Sequence, residues 1–454
     1  MTKYIEYFQI ESKSLLKRFK QKDPATVALC KKYFESKEDI SLMNAQHVIA
    51  KEYGFDSWND LIKQEPHKLA ESLIVAKNKI LKNAFFLWHN NSVVSNLDRG
   101  IIHLSSPEHI GIDMKTFTRN GSNIFTLEHI DVSEYDLSGI NPLYIRYSED
   151  TKWPEDPTKL PLGFNPKEFL ESRKNPGLGI RTLHKQNIKG KGQTVVVISQ
   201  NELVAHIEYC NSLIGYEKIG VNDKTDLFSN TSTELSAIVG KSCGIAPLAD
   251  AYYYTVNSEK NTSYKNYVVA IKKAIELHKK LKSSGKSGVS AIILTDWLYN
   301  DNIKADDLLN AISEANDLGI MCFSQKFTNL MKNTRLRLGG IYCKLGGDVD
   351  NPDDYVPLII KEFKWKFRNN YRNALCFPCG AKTVSFREQF DGYAFEHFSS
   401  RYDSIYAIGL YLLAKSVKEN ITPYEFFELG LKTGDFREGV GTIINPTRLI
   451  ESLK

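Results

Sequence analysis

The run Thr194-Val195-Val196-Val197-Ile198 constrains this chain more than any other stretch. Every residue in it is β-branched, which stiffens χ1, lowers helix propensity and favours a pleated strand. No polar residue alternates with the apolar ones, so the strand has no face for water. It belongs in the middle of a parallel sheet that is covered on both sides. Gly190-Lys191-Gly192 makes a tight turn into it. Before that, Pro176 and its flanking glycines open a helical turn with Ile180 and Leu183 on its apolar face. In an open α/β sheet the working residues sit just past the carboxyl ends of the strands. Here that place is held by Ser199.

A parallel strand needs partners reached by crossover helices, and the chain from Asn175 onward supplies them in order. The pattern predicts a helix over Ser232–Gly240 and a strand over Asp250–Val256. A helix follows with Val268, Ala270, Ile271, Ala274, Ile275 and Leu277 inward, then a strand over Val289–Thr295. A helix over Ala305–Leu318 and a strand over Gly319–Ser324 complete a doubly wound parallel sheet. Residues 325–396 read as irregular, and a long helix is expected near Tyr402–Val417.

Residues 1–65 read as a separate helical module. Tyr4, Phe8, Leu15, Leu16 and Phe19 recur at helical spacing, as do Ala45, Val48, Ile49 and Tyr53, with Gly54 placed as a C-cap. Asp56-Ser57 can N-cap a short helix carrying Trp58, Leu61 and Ile62. The stretch A-Q-H-V-I-A-K-E-Y-G-F-D-S-W-N-D-L resembles a small helical module at the front of varied bacterial proteins, a resemblance that implies no chemistry; His47 within it reads as a helix-surface or half-buried residue. Residues 66–174 read as a helical connector followed by short strands between turn residues, a small β-rich linker region. The proline-punctuated stretch from Trp153 to Lys174 marks the boundary with 175–454.

Composition narrows the function classes. A formal net charge of +5 with lysines interleaved among acids gives no nucleic-acid footprint. The seven cysteines are odd in number and lack framework spacing, which implies reduced thiols and a cytoplasmic setting. The N-terminus lacks the apolar core of a signal peptide, and no run reaches the roughly 18–20 apolar residues of a membrane span. His103, His109 and His129 have no metal-ligand spacing. Cys376-Phe-Pro-Cys379 lacks the second pair that a zinc ribbon needs, and Pro378 and Gly380 suggest a turn where a redox motif would open a helix. The glycine-rich patches are turn chemistry, so neither metal nor cofactor is expected.

The order of these pieces resembles the subtilisin-like serine peptidases (families S8 and S53), from Asn175 to the C-terminus. G-K-G-Q-T-V-V-V-I-S is similar to the family's glycine turn and first core strand. Ala205-His206-Ile207-Glu208-Tyr209 matches the His-Pro segment, whose histidine is not catalytic. S-A-I-V-G-K-S-C-G-I-A-P-L-A-D-A-Y-Y-Y-T-V is similar to the end of the catalytic-histidine helix, the G-V-A-P turn and the next strand. I-N-P-T-R-L-I resembles the closing segment.

The resemblance implies a subtilisin-like α/β fold but not the family's catalytic residues. The triad aspartate falls on Ser199, and a neutral hydroxyl cannot stabilise an imidazolium. Counting back from Gly240 puts the histidine on Asn230, which has no titratable nitrogen. Counting back from Gly409 puts the nucleophile on Arg401, which stays protonated. The oxyanion asparagine falls on Thr328, with Asn329 beside it, and the substrate-pairing S-L-G falls on Thr295-Asp296-Trp297. A tryptophan there obstructs a strand-like peptide.

The expectation is a pseudoprotease, a non-proteolytic binding or regulatory module for a protein or peptide partner. Its candidate pocket comprises Glu234, Asp296, Trp297, Asn329, Ser400 and Arg401, with Glu234, Asp296, Arg401 and Asp403 as paired charges. Two further readings stay open. Arg401 and Asn230 can hold a small anion or peptide carboxylate. Alternatively, the chain is an active serine-type endopeptidase with a displaced site such as Ser400–Glu234–Asp296, similar to the sedolisin relatives.

Overall fold

The computed structural model describes residues 3–34, 39–64, 68–69, 72, 102–103, 125–128, 130–200, 203, 206–221, 233–257, 264–295, 305–324, 337–358, 373–386, 391–396 and 401–454. The chain begins with α1 (Lys3–Lys20), α2 (Pro24–Lys31), α3 (Leu42–Glu52) and α4 (Trp58–Ile62). Phe8, Leu15 and Phe19 of α1 are buried with Ala45, Val48 and Ile49 of α3 and Leu61 of α4, a core of their own. The ends of these helices are fixed by local chemistry. Asp23 accepts from Thr26 N–H with Pro24 at the first helical position, and Ser41 and Asn44 form a capping box. Ser57 caps α4, as the sequence implies, and Gly54 adopts φ +86° after α3.

Four short strands follow: β1 (Ile102–His103), β2 (Phe125–Thr126), β3 (Ile130–Asp131) and β4 (Ile145–Ser148). The helices α5 (Pro166–Ser172) and α6 (Ile180–Lys185) then lead to β5 (Thr194–Ser199), β6 (Leu213–Ile219), α7 (Thr233–Val239) and β7 (Asp250–Val256). Next come α8 (Lys265–Ser283), β8 (Val289–Leu294), α9 (Asp306–Asp317) and β9 (Met321–Ser324). These strands form a five-stranded sheet in the order β6-β7-β5-β8-β9, and every neighbouring pair is parallel.

β5 is buried along its whole length. Its side chains still alternate, but between two cores. Val195 and Val197 face one core, with Leu235 and Ile238 of α7. Val196 and Ile198 face the other, with Ile271 and Ile275 of α8 and Ile312 of α9. Helices on both faces make the sheet doubly wound, as the uninterrupted apolar run requires. The chain leaves β5 toward β6 and β7 on one side and passes to β8 and β9 on the other. The topological switch point therefore lies between the carboxyl ends of β5 and β8.

Residues 325–396 are not irregular throughout. They contain β10 (Arg337–Cys343), β11 (Tyr355–Pro357), β12 (Ala374–Pro378), β13 (Lys382–Ser385) and β14 (Tyr393–Glu396). β10 and β12 are parallel partners, with Gly339 opposite Cys376 and Gly340 opposite Phe377. Glycines inside a strand weaken its sequence signal. Gly340 is required by contact, because a Cβ there would lie 2.8 Å from Cys379 Sγ. After α10 (Arg401–Val417) and α11 (Pro423–Thr433), β15 (Asp435–Arg437) and β16 (Gly441–Ile443) precede α12 (Pro446–Glu451). The second five-stranded sheet runs β11-β10-β12-β16-β15, and a four-stranded one runs β13-β14-β4-β2. The latter joins strands on both sides of residue 174, around a core that includes Ile145, Tyr147, Phe164 and Phe395.

α10 holds the two five-stranded sheets together. Its residues Ile405 through Leu413 share a core with Val197 of one sheet and Leu375 of the other. It comes close to the segment after α7 at Gly409, where a Cβ would stand 2.7 Å from Ile245 Cβ. Gly409→Ala is expected to lower stability by about 1–3 kcal/mol through overpacking, despite the better helix propensity of alanine. Urea unfolding of Gly409→Ala, Ile245→Ala and the double variant checks this. The double variant should lose clearly less than the sum of the two single losses.

Candidate functional site

Four elements bring polar groups to the switch point. β5 ends in Ser199, which has no exposed surface. Thr295, just past β8, donates its N–H to the Ile198 carbonyl at 3.1 Å, so the chain after β8 stays against the end of β5. The Thr295 hydroxyl oxygen is itself buried. α7 starts at Thr233 and α10 at Arg401, and Tyr402 Oη donates to Thr233 Oγ1 at 3.4 Å. Both helices thus begin at one place beside the sheet, the crevice where an α/β protein places ligands.

Glu234, in the first turn of α7, is fully buried. α7 is pinned to β13 as well, because Ser236 Oγ accepts the Ser385 N–H at 3.0 Å while donating to the Thr233 carbonyl at 2.8 Å. Of the residues singled out in sequence, the structure places Ser199, Glu234 and Asp403, and the backbone of Arg401 as the first residue of α10. Asn230, Asp296, Trp297, Thr328, Asn329 and Ser400 lie outside the described residues, as does the Arg401 side chain.

Three histidines of 175–454 are described, and each holds a backbone carbonyl. His184 Nε2 is 2.7 Å from Ile245 O, and His278 Nδ1 is 2.9 Å from Val289 O. His206 Nε2 bonds Gly392 O at 2.8 Å while its Nδ1 accepts the Glu208 N–H at 3.1 Å, which fixes a neutral tautomer. Burial pushes the His206 pKa down to about 4 against the opposing pull of that carbonyl and of Glu208.

Glu208 clasps the turn after α7. Its carboxylate accepts from Ser242 N–H at 2.8 Å, Ser242 Oγ at 2.5 Å, Cys243 N–H at 3.1 Å and Tyr393 Oη at 2.6 Å. Burial acts to raise its pKa, but the hydrogen bonds from Ser242, Tyr393 and Cys243 outweigh it and hold the carboxyl below its usual range. These groups are structural anchors for the elements that frame the crevice.

Two buried ionisable groups were not legible as such. Asp403 was expected to be a paired charge; the Arg401 side chain, the one cation of that expected set, lies outside the described residues, and among the described residues no cation lies within 4.0 Å of Asp403. Among the described residues its carboxylate accepts local hydrogen bonds from Ser404. Burial raises its pKa to about 7 against those bonds. Lys382, the first residue of β13, is 8% exposed and its ammonium lies 5.7 Å from the centroid of the Tyr402 ring. Burial pulls its pKa down to about 8. Neither residue belongs to a recognisable motif; the only sequence signal is a charge inside an otherwise apolar β or α pattern.

The C-x-x-C pair is structural. Cys376 lies in β12, with its thiol donating to Val440 O at 3.3 Å, and Cys379 N–H continues the ladder to Ile341 O at 2.7 Å. A strand rises about 3.3 Å per residue, so their Cα atoms stand roughly 10 Å apart. That is beyond the ~7 Å limit for a disulfide. Burial pushes the Cys376 thiol up to about 12 and Cys379 well above its ordinary value.

Asp403 gives the pH dependence a definite sign. A carboxyl with a raised folded-state pKa binds more protons folded than unfolded between its ordinary 3.8 and about 7. Its contribution to stability is therefore fully present below the lower value and lost as pH rises through the upper one. Asp403→Asn, which keeps the shape of the protonated acid, should be near parity with wild type at pH 3.5 and more stable at pH 8, by an amount on the order of 3–4 kcal/mol. Denaturant titrations at the two pH values check it.

No family model matches the chain, and no curated protein is similar to it in sequence. Similar solved structures include one titled prenylagaramide maturation protease PagA, at 14% identity and a TM-score of 0.41, covering 61% of this chain and 98% of that one. The subtilase cytotoxin SubAB matches at 11% identity and a TM-score of 0.43, covering 61% and 95%. The PatG macrocyclase domain matches at 14% and 0.39, covering 61% and 94%. Such scores say nothing of chemistry; the α/β architecture stands on the strand order and the helices on both faces.

Proposed function

We propose that residues 175–454 are a subtilisin-like domain without peptidase activity, serving as a binding or regulatory module for a protein or peptide. The observation that carries this reading is Ser199, which lies fully buried at the carboxyl end of the central strand. By resemblance this is the place of the carboxylate that orients the catalytic imidazole. A serine hydroxyl offers no charge to stabilise an imidazolium. The described histidines of the domain support the same reading, since each is committed to a backbone carbonyl. The crevice framed by α7, α10 and the ends of β5 and β8 is the surface on which such a module holds its partner.

The specific rival is a peptidase using Ser400, Glu234 and Asp296. The burial of Glu234 in the first turn of α7 favours it, because buried carboxyls are the ones that carry proton chemistry. The purified full chain treated with a fluorophosphonate probe separates the two. Intact mass should be unchanged, and casein turnover should stay at the buffer rate. A mass increase of one adduct on any serine, with proteolysis abolished by Ser400→Ala, overturns the proposal.

A further inference from the structure

Asp403 is 9% exposed and lies in the first turn of α10. Its neighbours Tyr402, Ile405 and Tyr406 belong to the core that α10 shares with Leu375, Cys376 and Phe377 of β12. Water has little access there, so ionising this carboxyl carries the desolvation cost of a buried charge.

The titratable and charged groups on the surrounding elements do not offset that cost. On β12 and just past it are the Cys376 and Cys379 thiols, and the Asp403 charge pushes both further up. Arg437, the cation that acts on Cys376, donates to the carbonyls of Pro352 and Tyr355. Lys382 of β13 sits over the Tyr402 ring. Glu234, in the first turn of α7, is another acid. The same turn of α10 also carries the joint to the crevice. Tyr402, one residue before Asp403, donates from Oη to Thr233 Oγ1 at 3.4 Å, where α7 begins. A helix end opens at little cost, because its first N–H groups have no partner within the helix. Unwinding this one turn takes Asp403 to water and breaks the joint to α7, while the rest of α10 stays packed between the two sheets.

We propose that Asp403 is a proton-operated latch: protonated, it lets the first turn of α10 close and hold the start of α7; ionised, it favours opening of that turn and loosens the crevice. That the latch gates a partner rests on the binding role proposed above; the latch itself does not. Burial raises the Asp403 pKa to about 7 from an ordinary 3.8. The closed turn is therefore favoured fully below the lower value, and that preference is lost as pH rises through the upper one. Its opening constant grows about tenfold per pH unit in between and levels off above about 7, a rise of roughly 50- to 100-fold from pH 5 to pH 8.

Hydrogen–deuterium exchange of the full chain at pH 5 and pH 8, corrected for intrinsic exchange, tests this. Residues 401–408 and α7 should lose protection by that factor at pH 8. Low urea should leave their exchange unchanged, because unwinding one turn exposes little surface, while exchange in β5 accelerates. Asp403→Asn, which carries no charge at either pH, should show equal protection at both. Equal protection at the two pH values in the wild type, as a carboxyl held ionised by Arg401 would give, overturns the proposal. So does a pH response that persists in Asp403→Asn, that spares α7, or that follows urea in parallel with β5 and so reports only global unfolding. The fluorophosphonate and casein measurements are independent of these outcomes, so failure of the latch and failure of the binding-module reading are distinguishable.

Discussion

The two-sided burial of β5 is the constraint on which the rest of this structure depends. A strand whose successive valines all lie in apolar surroundings needs a layer of helices on each face, and α7 with α10 and α8 with α9 provide them. Burying a valine or isoleucine side chain is worth about 1.5–3 kcal/mol, so exposing the four in this strand would forfeit about 6–12 kcal/mol, comparable to a domain's net stability. Its central place in turn makes its carboxyl end a switch point. The chemistry of residue 199 is therefore a question about the fold's most determined position rather than about a loop.

Around that position, the structure treats buried charge in two ways. Glu208 has two side-chain and two backbone donors, and it stays ionised in spite of burial. It closes the turn that carries the chain from α7 to β7. Asp403 and Lys382 have no such support, and their pKa values move toward neutrality instead. A charge-assisted hydrogen bond contributes about 1.5–3 kcal/mol. Four of them outweigh the desolvation of one carboxyl, and the local bonds from Ser404 do not. The difference separates groups that fasten the scaffold from groups that cost stability, at the start of α10 and in β13.

The parts of the fold that were legible in sequence are those with local signals. The unbroken run of β5, the 3.6-residue spacing in α8 and the caps at Ser41 and Ser57 all depend on neighbours within a few residues. β10 and β12 were not legible because glycines interrupt the first and a C-x-x-C with Pro378 and Gly380 reads as a turn in the second, and α10 packs across both. The joining of β4 to β14 links positions about 250 residues apart, which no local pattern encodes. For the site, counting along the chain pointed to Ser199, which ends β5, and to Glu234, which lies in the first turn of α7. It could not foresee that Asp403 is buried, because side-chain burial is a tertiary property. The other counted positions fall in segments whose placement the described residues do not include.

The chemistry of a serine at 199 suits the burial of its position. An aspartate at the end of a fully buried strand is tolerable when an adjacent imidazole can share its charge. Without that partner it is an isolated anion in a low-dielectric site, at a cost of several kcal/mol. A serine is small and neutral, and it can satisfy both its donor and its acceptor locally. At a buried strand end, Ser199 costs less than an unpartnered carboxylate would, and β5 owes its place to Val195 through Ile198 rather than to the residue at its end.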